Sequence, residues 1–432
     1  MNNTNDLKHE AILAFGGRIP FQRSLTGYKE LSALDLARMA LEGLITQSGI
    51  QPSLVDLVMM GTVIQDVNTS NIAREASLAA GIPESVPAYT TTMACISSNI
   101  AVTSAVEKIR TGQNRVVIAG GVETMSDIPI RFRKKFRQKL LETRKYKSPT
   151  DFLKFFKGLR PSDLMPDIPS ISEYSTGETM GASCDKMAAK YGITREEQDR
   201  YALQSHQKAA EATEKGLLSG ELFPAAVPPR FELVTVDNTF RADTTLEKLA
   251  ALKPAFEKKY GTVTAGNSSA LTDGASAALI MDRQTAEEHG IKPKAVFRSY
   301  TYVAQQPADE LLIGPAMAVP VVLDQMRLTL GDIDVFEFHE AFAGQILTVL
   351  KALESDEFAR ERLNRSSRVG EIPMDKFNSW GGSLSLGHPF GATGTRLVTT
   401  AANRLEKEDG QFALVAACAA GGLGHAIVME RV

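Results

Sequence analysis

The sequence predicts an α/β fold in which helices layer on a largely parallel sheet. Three observations carry that expectation. Short apolar runs alternate with amphipathic stretches, the runs end in glycine or polar residues as buried strands do, and segments near the start of the chain recur near its end.

In chain order, Leu34 to Leu44 has the apolar spacing of a helix, and Leu57-Val58-Met59-Met60 reads as a buried strand. Ile100 to Ile109 reads as a helix that feeds the apolar run Arg115-Val116-Val117-Ile118-Ala119. Arg195 to Leu217 is amphipathic, and Ala413-Leu414-Val415-Ala416-Ala417 closes the series as a strand. The recurrence is specific. Ser53-Leu-Val-Asp-Leu-Val-Met-Met aligns with Gly331-Asp-Ile-Asp-Val-Phe-Glu-Phe, which sets Asp56 on Asp334. Later, Gly112-Gln113 precedes Val116-Val-Ile-Ala-Gly-Gly, as Gly410-Gln411 precedes Leu414-Val-Ala-Ala-Cys-Ala-Ala-Gly-Gly. Two matches in one order point to a duplicated unit.

Composition narrows the function classes. With 43% hydrophobic and 23% charged residues, the chain is neither collagen-like nor disordered, and 432 residues are enough for two or three domains. A net charge of −3 gives no global reason to bind nucleic acid. Three cysteines, an odd number, argue against a disulfide framework and for a reducing compartment. The first residues lack the basic and apolar regions of a signal peptide and are not Arg/Ser-rich. The most apolar window, Ala413 to Met429, is 17 residues with three glycines and a histidine, short of the roughly 20 that a membrane span needs. These features predict a soluble, cytoplasmic protein.

The middle of the chain differs. Arg131 to Arg160 holds twelve Lys/Arg and two Asp/Glu, a +10 window, with Phe132, Phe136, Tyr146, Phe152, Phe155 and Phe156 among them. This is either a solvated helical hairpin or a surface for an acidic partner, an anionic membrane or an anionic ligand. Arg160-Pro-Ser-Asp-Leu-Met-Pro-Asp-Ile-Pro-Ser reads as a loop.

Three segments carry reactive side chains. Cys95, in Thr92-Met-Ala-Cys-Ile-Ser-Ser-Asn99, stands where a helix begins; unpaired N–H groups and the helix dipole there favour a thiolate. His388 lies in Gly-Gly-Ser-Leu-Ser-Leu-Gly387-His-Pro-Phe-Gly391-Ala-Thr-Gly394, dense in glycine but without dinucleotide-fingerprint spacing, and is a candidate base. Cys418 ends an apolar strand at a glycine turn, where α/β sheets place their sites. Cys95, His388 and Cys418 lack zinc-ligand spacing, so nucleophilic catalysis fits better than a metal site.

Together these segments resemble the thiolases, the 3-ketoacyl-CoA acyltransferases. The likeness runs through Met93-Ala-Cys-Ile-Ser, Gly120-Gly-Val-Glu-Thr-Met-Ser126, Met180-Gly181, Gly261-Thr-Val-Thr-Ala-Gly-Asn-Ser-Ser-Ala-Leu-Thr-Asp-Gly274, His339-Glu-Ala-Phe-Ala343, Gly387-His-Pro-Phe-Gly391 and Cys418-Ala-Ala-Gly-Gly-Leu-Gly424. His339 replaces the usual asparagine, and with Gly344-Gln345 and the basic insert it resembles the β subunits of fatty-acid oxidation trifunctional complexes.

The resemblance implies two duplicated α/β halves in a five-layered α-β-α-β-α core plus a loop domain. The N-terminal half would be residues 1–125, resuming at 255–290. Residues 126–254 would form the loop domain, with the insert at 131–160, and residues 291–432 the C-terminal half. It implies cleavage of 3-ketoacyl-CoA by CoA in the last step of β-oxidation, with Cys95 as nucleophile, His388 as its base and Cys418 as the acid and base at the enolate carbon. A thiol pKa near 8.5 suits that last task. His388 and a water held by His339 would meet the enolate oxygen, and the tautomer of His339 would have to be set by a neighbour. The Cys95 and Ala420 N–H groups would bind the tetrahedral oxygen. Arg241, Lys248 and Ser269 would contact CoA, which is a co-substrate; no tightly bound cofactor or metal is implied. Cys184, His9, His206 and His289 match no catalytic position and read as structural. The implied assembly is a homodimer within a complex with a hydratase/3-hydroxyacyl-CoA dehydrogenase α subunit, with peripheral membrane contact through 131–160 and no nucleic acid. The alternatives are a biosynthetic acetoacetyl-CoA thiolase and an inactive thiolase-like scaffold.

Overall fold

A computed structural model describes residues 9–167 and 172–432. The first residues read for a leader, and the end of the proline-punctuated loop at 168–170, lie outside the described residues.

The long strands form one mixed sheet built from two similar parts, and two short hairpin-like pairs lie outside it. The first contributes Ala88–Thr91, Leu57–Gly61, Val116–Glu123, Thr272–Asp282 and Ala11–Arg18 in spatial order. The second continues with Ala295–Ala304, Leu423–Arg431, Phe412–Ala419 and Val335–Phe338. Within the sheet, among the described residues, the parts meet where Ile12 and Leu13 pair with Val296 and Ala295. Within each, the Asp of the recurring segment caps the next strand in the same way. Asp56 accepts the N–H groups of Arg115 and Val116 at 2.7 and 2.9 Å, and Asp334 accepts those of Gln411 and Phe412 at 2.7 and 3.2 Å. The Asp56 and Asp334 N–H groups in turn reach the carbonyls of Val116 and Phe412. The duplication therefore holds at the level of single hydrogen bonds.

The expectation of a largely parallel sheet is corrected. Leu57–Gly61 pairs in parallel with both its neighbours, as Val335–Phe338 does with Phe412–Ala419, but the other five long ladders are antiparallel. The cause is a returning strand in each part. Leu423–Arg431 folds straight back from Phe412–Ala419 through Gly421 and Gly422 at φ +85° and +69°, a conformation that glycine adopts without strain. The apolar window Ala413 to Met429 is this hairpin.

Strand alternation assigns the layers. Val117 and Ala119 join Val415 and Ala417 in a central core, where the helices Ser97–Arg110 and Thr393–Lys407 lie between the two parts. Val116 and Ile118 face the opposite way, under Ala33–Ser48 and Ile72–Ala79. Leu414 and Ala416 face Gly314–Met326 and Ala343–Leu353. The order is α-β-α-β-α. The first helix illustrates its own cause: Ser32 and Asp35 form a capping box, Leu36, Ala37, Ala40, Leu41 and Leu44 supply a buried stripe, and Gly49 at φ +68° ends it.

The basic insert is a helical hairpin, Lys134–Glu142 and Pro149–Phe156, with no buried residue in either helix. Phe132, Phe136, Phe155 and Phe156 stack edge to face along it, while Leu141, Phe152, Leu153 and Phe156 stay mostly exposed. Among the described residues no helix is long and apolar enough to cross a membrane.

Candidate active site

Strand Ala88–Thr91 delivers the chain into a tight turn before helix Ser97–Arg110. Ala94 sits at φ +47°, a conformation that costs a residue with a Cβ about 1–2 kcal/mol. Ser97 holds the turn: its hydroxyl accepts the Met93 N–H at 2.8 Å and donates to the Ala94 carbonyl at 2.6 Å. Gly61 leaves room for the helix start, since a Cβ there would stand 2.5 Å from the Ser97 carbonyl carbon. The result is a half-buried Cys95 with its sulfur receiving the N–H groups of Ala420 and of Cys95 itself.

The expected thiolate is corrected. Burial pushes the Cys95 thiol up to about 11, and the nearby Glu123 carboxylate adds to it, while the Ala420 and Cys95 N–H groups only partly oppose the rise. Desolvation outweighs the helix terminus. Cys418 is buried one residue before the end of strand Phe412–Ala419, and its thiol is pushed well above the ordinary range, first by burial and then by Cys95. Neither thiol matches the expected value near 8.5. Both are protonated at rest.

His388 is buried in the glycine-rich loop, with Gly387 at φ +98° against Thr272 and Thr239. Its Nδ1 lies 2.6 Å from the Thr393 hydroxyl, and its Nε2 has no partner. Burial, then the Arg396 charge, lowers its pKa to about 3, so the imidazole is neutral. Glu123 ties this loop to the nucleophile: it faces Cys95 and accepts the N–H groups of Gly391, Val63 and Ile64 at 3.0, 3.1 and 2.9 Å. Burial lifts its carboxyl to about 7 against those donors.

His339 follows strand Val335–Phe338 and is fully buried. Its ring centroid is 4.0 Å from that of His388. Its Nδ1 meets the Ser383 hydroxyl at 2.9 Å, and its Nε2 is also unpartnered. The adjacent Glu340 anchors the segment, taking hydrogen bonds from Tyr201 and Asn378 at 2.6 Å each.

Cys418 and the Ala420 N–H thus come to Cys95, His339 faces His388, and Glu123 links the His388 loop to Cys95. The Ser269 N–H donates to the Ala341 carbonyl at 3.0 Å. Arg241 is exposed two residues from Thr239, and its N–H donates to His206 Nδ1 at 3.2 Å. Lys248 is exposed and already paired with Asp243 at 2.6 Å. Ser98, in place of a common thiolase glycine, accepts the Thr395 N–H at 3.0 Å and joins the two central helices. Sequence reading passed over Glu123, Thr393, Ser383 and Arg396, although all lie within the quoted segments or directly beside them. A further contact was also missed: Glu173 accepts the Gly421 N–H at 2.6 Å beside Ala420.

Comparison with known proteins identifies the family. Residues 11–284 match the family "Thiolase, N-terminal domain" and residues 291–431 match "Thiolase, C-terminal domain". The chain is 56% identical over 419 residues to the mitochondrial trifunctional enzyme subunit beta of Bos taurus, covering 97% of this chain and 88% of that one. It superposes on the acetyl-CoA acetyltransferase of Bacillus anthracis with a TM-score of 0.85 and 32% identity, over 98% of this chain and 99% of the other. A crystal structure of human mitochondrial 3-ketoacyl-CoA thiolase in complex with CoA matches with a TM-score of 0.84 and 30% identity, over 99% of both chains. The chain belongs to the thiolase family of acyltransferases.

Proposed function

We propose that this thiolase works in the degradative direction, cleaving a 3-ketoacyl-CoA with CoA into acetyl-CoA and a shortened acyl-CoA at the end of a β-oxidation round. His388 Nε2 takes the Cys95 proton as the sulfur attacks C3 of the substrate. The C2–C3 bond breaks, leaving an acyl thioester on Cys95 and an enolate of acetyl-CoA. Cys418 gives its proton to C2. In the second half-reaction the Cys418 thiolate takes the proton of CoA, whose sulfur attacks the thioester, and Cys95 leaves and regains its proton from His388. The Cys95 and Ala420 N–H groups serve the tetrahedral oxygens, and His339 serves the enolate oxygen. Both thiols and both imidazoles are neutral at rest, so the reacting groups themselves become charged only when the substrate arrives.

The observation that carries this reading is the meeting of two thiols from different parts of the sheet, with the Ala420 N–H on the Cys95 sulfur. A C–C cleavage of this kind needs one sulfur to hold the acyl group and a second group to move a proton at the carbanion. His339 and the basic insert, which resemble those of trifunctional β subunits, favour degradation over acetoacetyl-CoA synthesis, and the bovine relative bears that name. Residues 126–254 serve as the loop domain between halves bounded as the sequence suggests, with Arg241, Lys248 and Ser269 toward CoA.

The assembly is a homodimer joined to a partner bearing hydratase and 3-hydroxyacyl-CoA dehydrogenase activities, and the exposed basic, aromatic hairpin is its docking or membrane-facing surface. The compartment is the cytoplasm in a bacterial host, with the mitochondrion, named for the bovine relative, as the alternative. Deleting 131–160 should weaken capture of the partner or binding to anionic liposomes; unchanged binding to both would assign the hairpin another use.

The deciding assay is CoA-dependent cleavage of four- and sixteen-carbon 3-ketoacyl-CoAs, with Cys95→Ala as control. Cleavage of the long substrate that vanishes in the variant supports the proposal. Turnover of the four-carbon substrate alone favours the biosynthetic alternative. Inactivity toward both, with the partner present, favours the scaffold.

A further inference from the structure

The two buried histidines face each other with their rings 4.0 Å apart, and the Nε2 of each is without a partner. A neutral imidazole carries one ring hydrogen, so what each Nε2 offers depends on what its Nδ1 does. The neighbouring hydroxyls decide that by counting hydrogens.

Ser383 lies between His339 Nδ1, at 2.9 Å, and Arg396 Nη2, at 2.6 Å. A guanidinium only donates, so the Ser383 oxygen accepts from Arg396. Its own hydrogen then has His339 Nδ1 as its partner. Nδ1 becomes the acceptor and the ring hydrogen goes to Nε2. At His388 the order is reversed. The Thr393 hydroxyl is 3.0 Å from the Pro389 carbonyl, one helical turn back, and 2.6 Å from His388 Nδ1. With its single hydrogen on that carbonyl, Thr393 accepts from Nδ1–H and leaves Nε2 as a lone pair.

We propose that Ser383, braced by Arg396, fixes His339 as the Nε2–H tautomer while Thr393 fixes His388 as the Nδ1–H tautomer. The facing rings then present one donor and one base to the same substrate. Ser383 is a positioning residue, acting through His339. The division answers the problem posed by a histidine where an asparagine is usual: an amide always has an N–H to offer, whereas an imidazole has one at Nε2 only if a neighbour places it there. Burial supports the assignment, since both rings are held neutral. The substrate named here rests on the thiolase reading; the hydrogen placement does not.

The test begins with the unmodified enzyme. Nitrogen-15 spectra of protein labelled at its six histidines, assigned with His339→Asn and His388→Asn, report which nitrogen of each ring is protonated. Protonated Nε2 on His339 with unprotonated Nε2 on His388 is the expected result; a protonated Nδ1 on His339 overturns the proposal whatever the activity. Ser383→Ala then separates positioning from packing. Exchange of the C2 hydrogens of acetyl-CoA, which needs the enolate oxygen stabilised, should fall about tenfold or more. Acetylation of Cys95 by acetyl-CoA, which relies on the Cys95 and Ala420 N–H groups, should stay within about twofold, and Ser383→Thr should restore exchange. Loss of both half-reactions together, or of neither, overturns the role of Ser383. If Ser383→Ala does not fold, the spectrum of the unmodified enzyme still decides. Failure of exchange and acetylation in the unmodified enzyme would instead refute the thiolase reading and leave the tautomer result standing.

Discussion

The helix after Cys95 and the helix after His388 hold the same place in the two parts of the molecule. Each leads into a strand that runs parallel to the one following the recurring Asp, Leu57–Gly61 or Val335–Phe338, and the two helices lie against each other in the central layer. Their contact is close: a Cβ on Gly394 would stand 2.0 Å from Asn99 Oδ1. Yet the approach to each helix differs. The first is entered through Ala94 at φ +47° with a thiol at the turn, and the second through a glycine-rich loop whose histidine is hung on Thr393. The duplicated fold supplies one location twice, and divergence has put a nucleophile at one copy and a base at the other. A mechanism that needs both groups within reach follows from the packing of two similar helices rather than from either part alone.

The largest effect expected from this comparison concerns the resting thiol. If burial governs Cys95, its pKa near 11 leaves about 200-fold less thiolate at pH 8 than an ordinary cysteine near 8.5 would have. Iodoacetamide should then label Cys95 slowly, with a rate that climbs about tenfold per pH unit from pH 7 through 9.5. Cys418, more fully buried than Cys95, should label more slowly. A rate that levels off near pH 8.5 would mean that the helix terminus prevails after all. Slow labelling is thus what the fold predicts for an active enzyme and is no mark of a scaffold.

That reversal also shows which properties a sequence carries. Cys95, His388 and Cys418 stand out because reactive side chains in glycine-dense segments are unusual, and Asp56 and Asp334 stand out because each precedes an apolar strand by one residue. The dipole argument for Cys95 used only its own helix. The burial that raises its pKa, the Ala420 N–H that opposes the rise and the Glu123 carboxylate that adds to it come from other segments, and Ala420 is over 300 positions away. Nothing local marks Ser383, whose His339 partner is 44 residues distant. The antiparallel return of Thr272–Asp282 was invisible for a related reason. Its run of small buried residues shows no alternation, and strand direction is a property of the neighbours it pairs with.

An intermediate effect tests how tightly the nucleophile's helix is seated. Gly61→Ala would place a Cβ 2.5, 2.6 and 2.7 Å from the Ser97 carbonyl carbon, the Ser98 nitrogen and the Ser97 oxygen, all backbone atoms that can yield only by moving the turn that presents Cys95. Turnover should drop about 10- to 100-fold, because small misplacements of a reacting group are expensive. Gly49→Ala makes the control. It meets nothing within 4 Å but must adopt φ +68°, so it should cost about 1 kcal/mol of stability and leave turnover intact. Equal turnover in both variants would show that the helix start can shift without consequence.

The smallest effect bears most directly on the duplication. Asp56→Ala and Asp334→Ala each remove a carboxylate that accepts two N–H groups at the head of the neighbouring strand. Hydrogen bonds to a charged group at a partly solvated site are worth about 1–2 kcal/mol net, so each change should lower the denaturant midpoint measurably. The two losses should add, because the sites lie in different parts and share no partner. They should not be equal. Asp56 is exposed, whereas Asp334 is half-buried and has Lys376 at 3.5 Å, so the second change should cost more. Asp334 also offers a pH signature. Burial works against its charge, but the Gln411 and Phe412 N–H groups outweigh that and hold its carboxyl below the usual range. A lowered folded pKa means that the stabilisation is complete above the unfolded value, about pH 4, and fades as pH falls below it. The gap between wild type and Asp334→Ala should therefore be constant from pH 5 to 8 and narrow toward pH 3. A gap that persists at pH 3 would show that Asp334 acts through shape rather than charge, and that the two copies keep the same hydrogen bonds for different reasons.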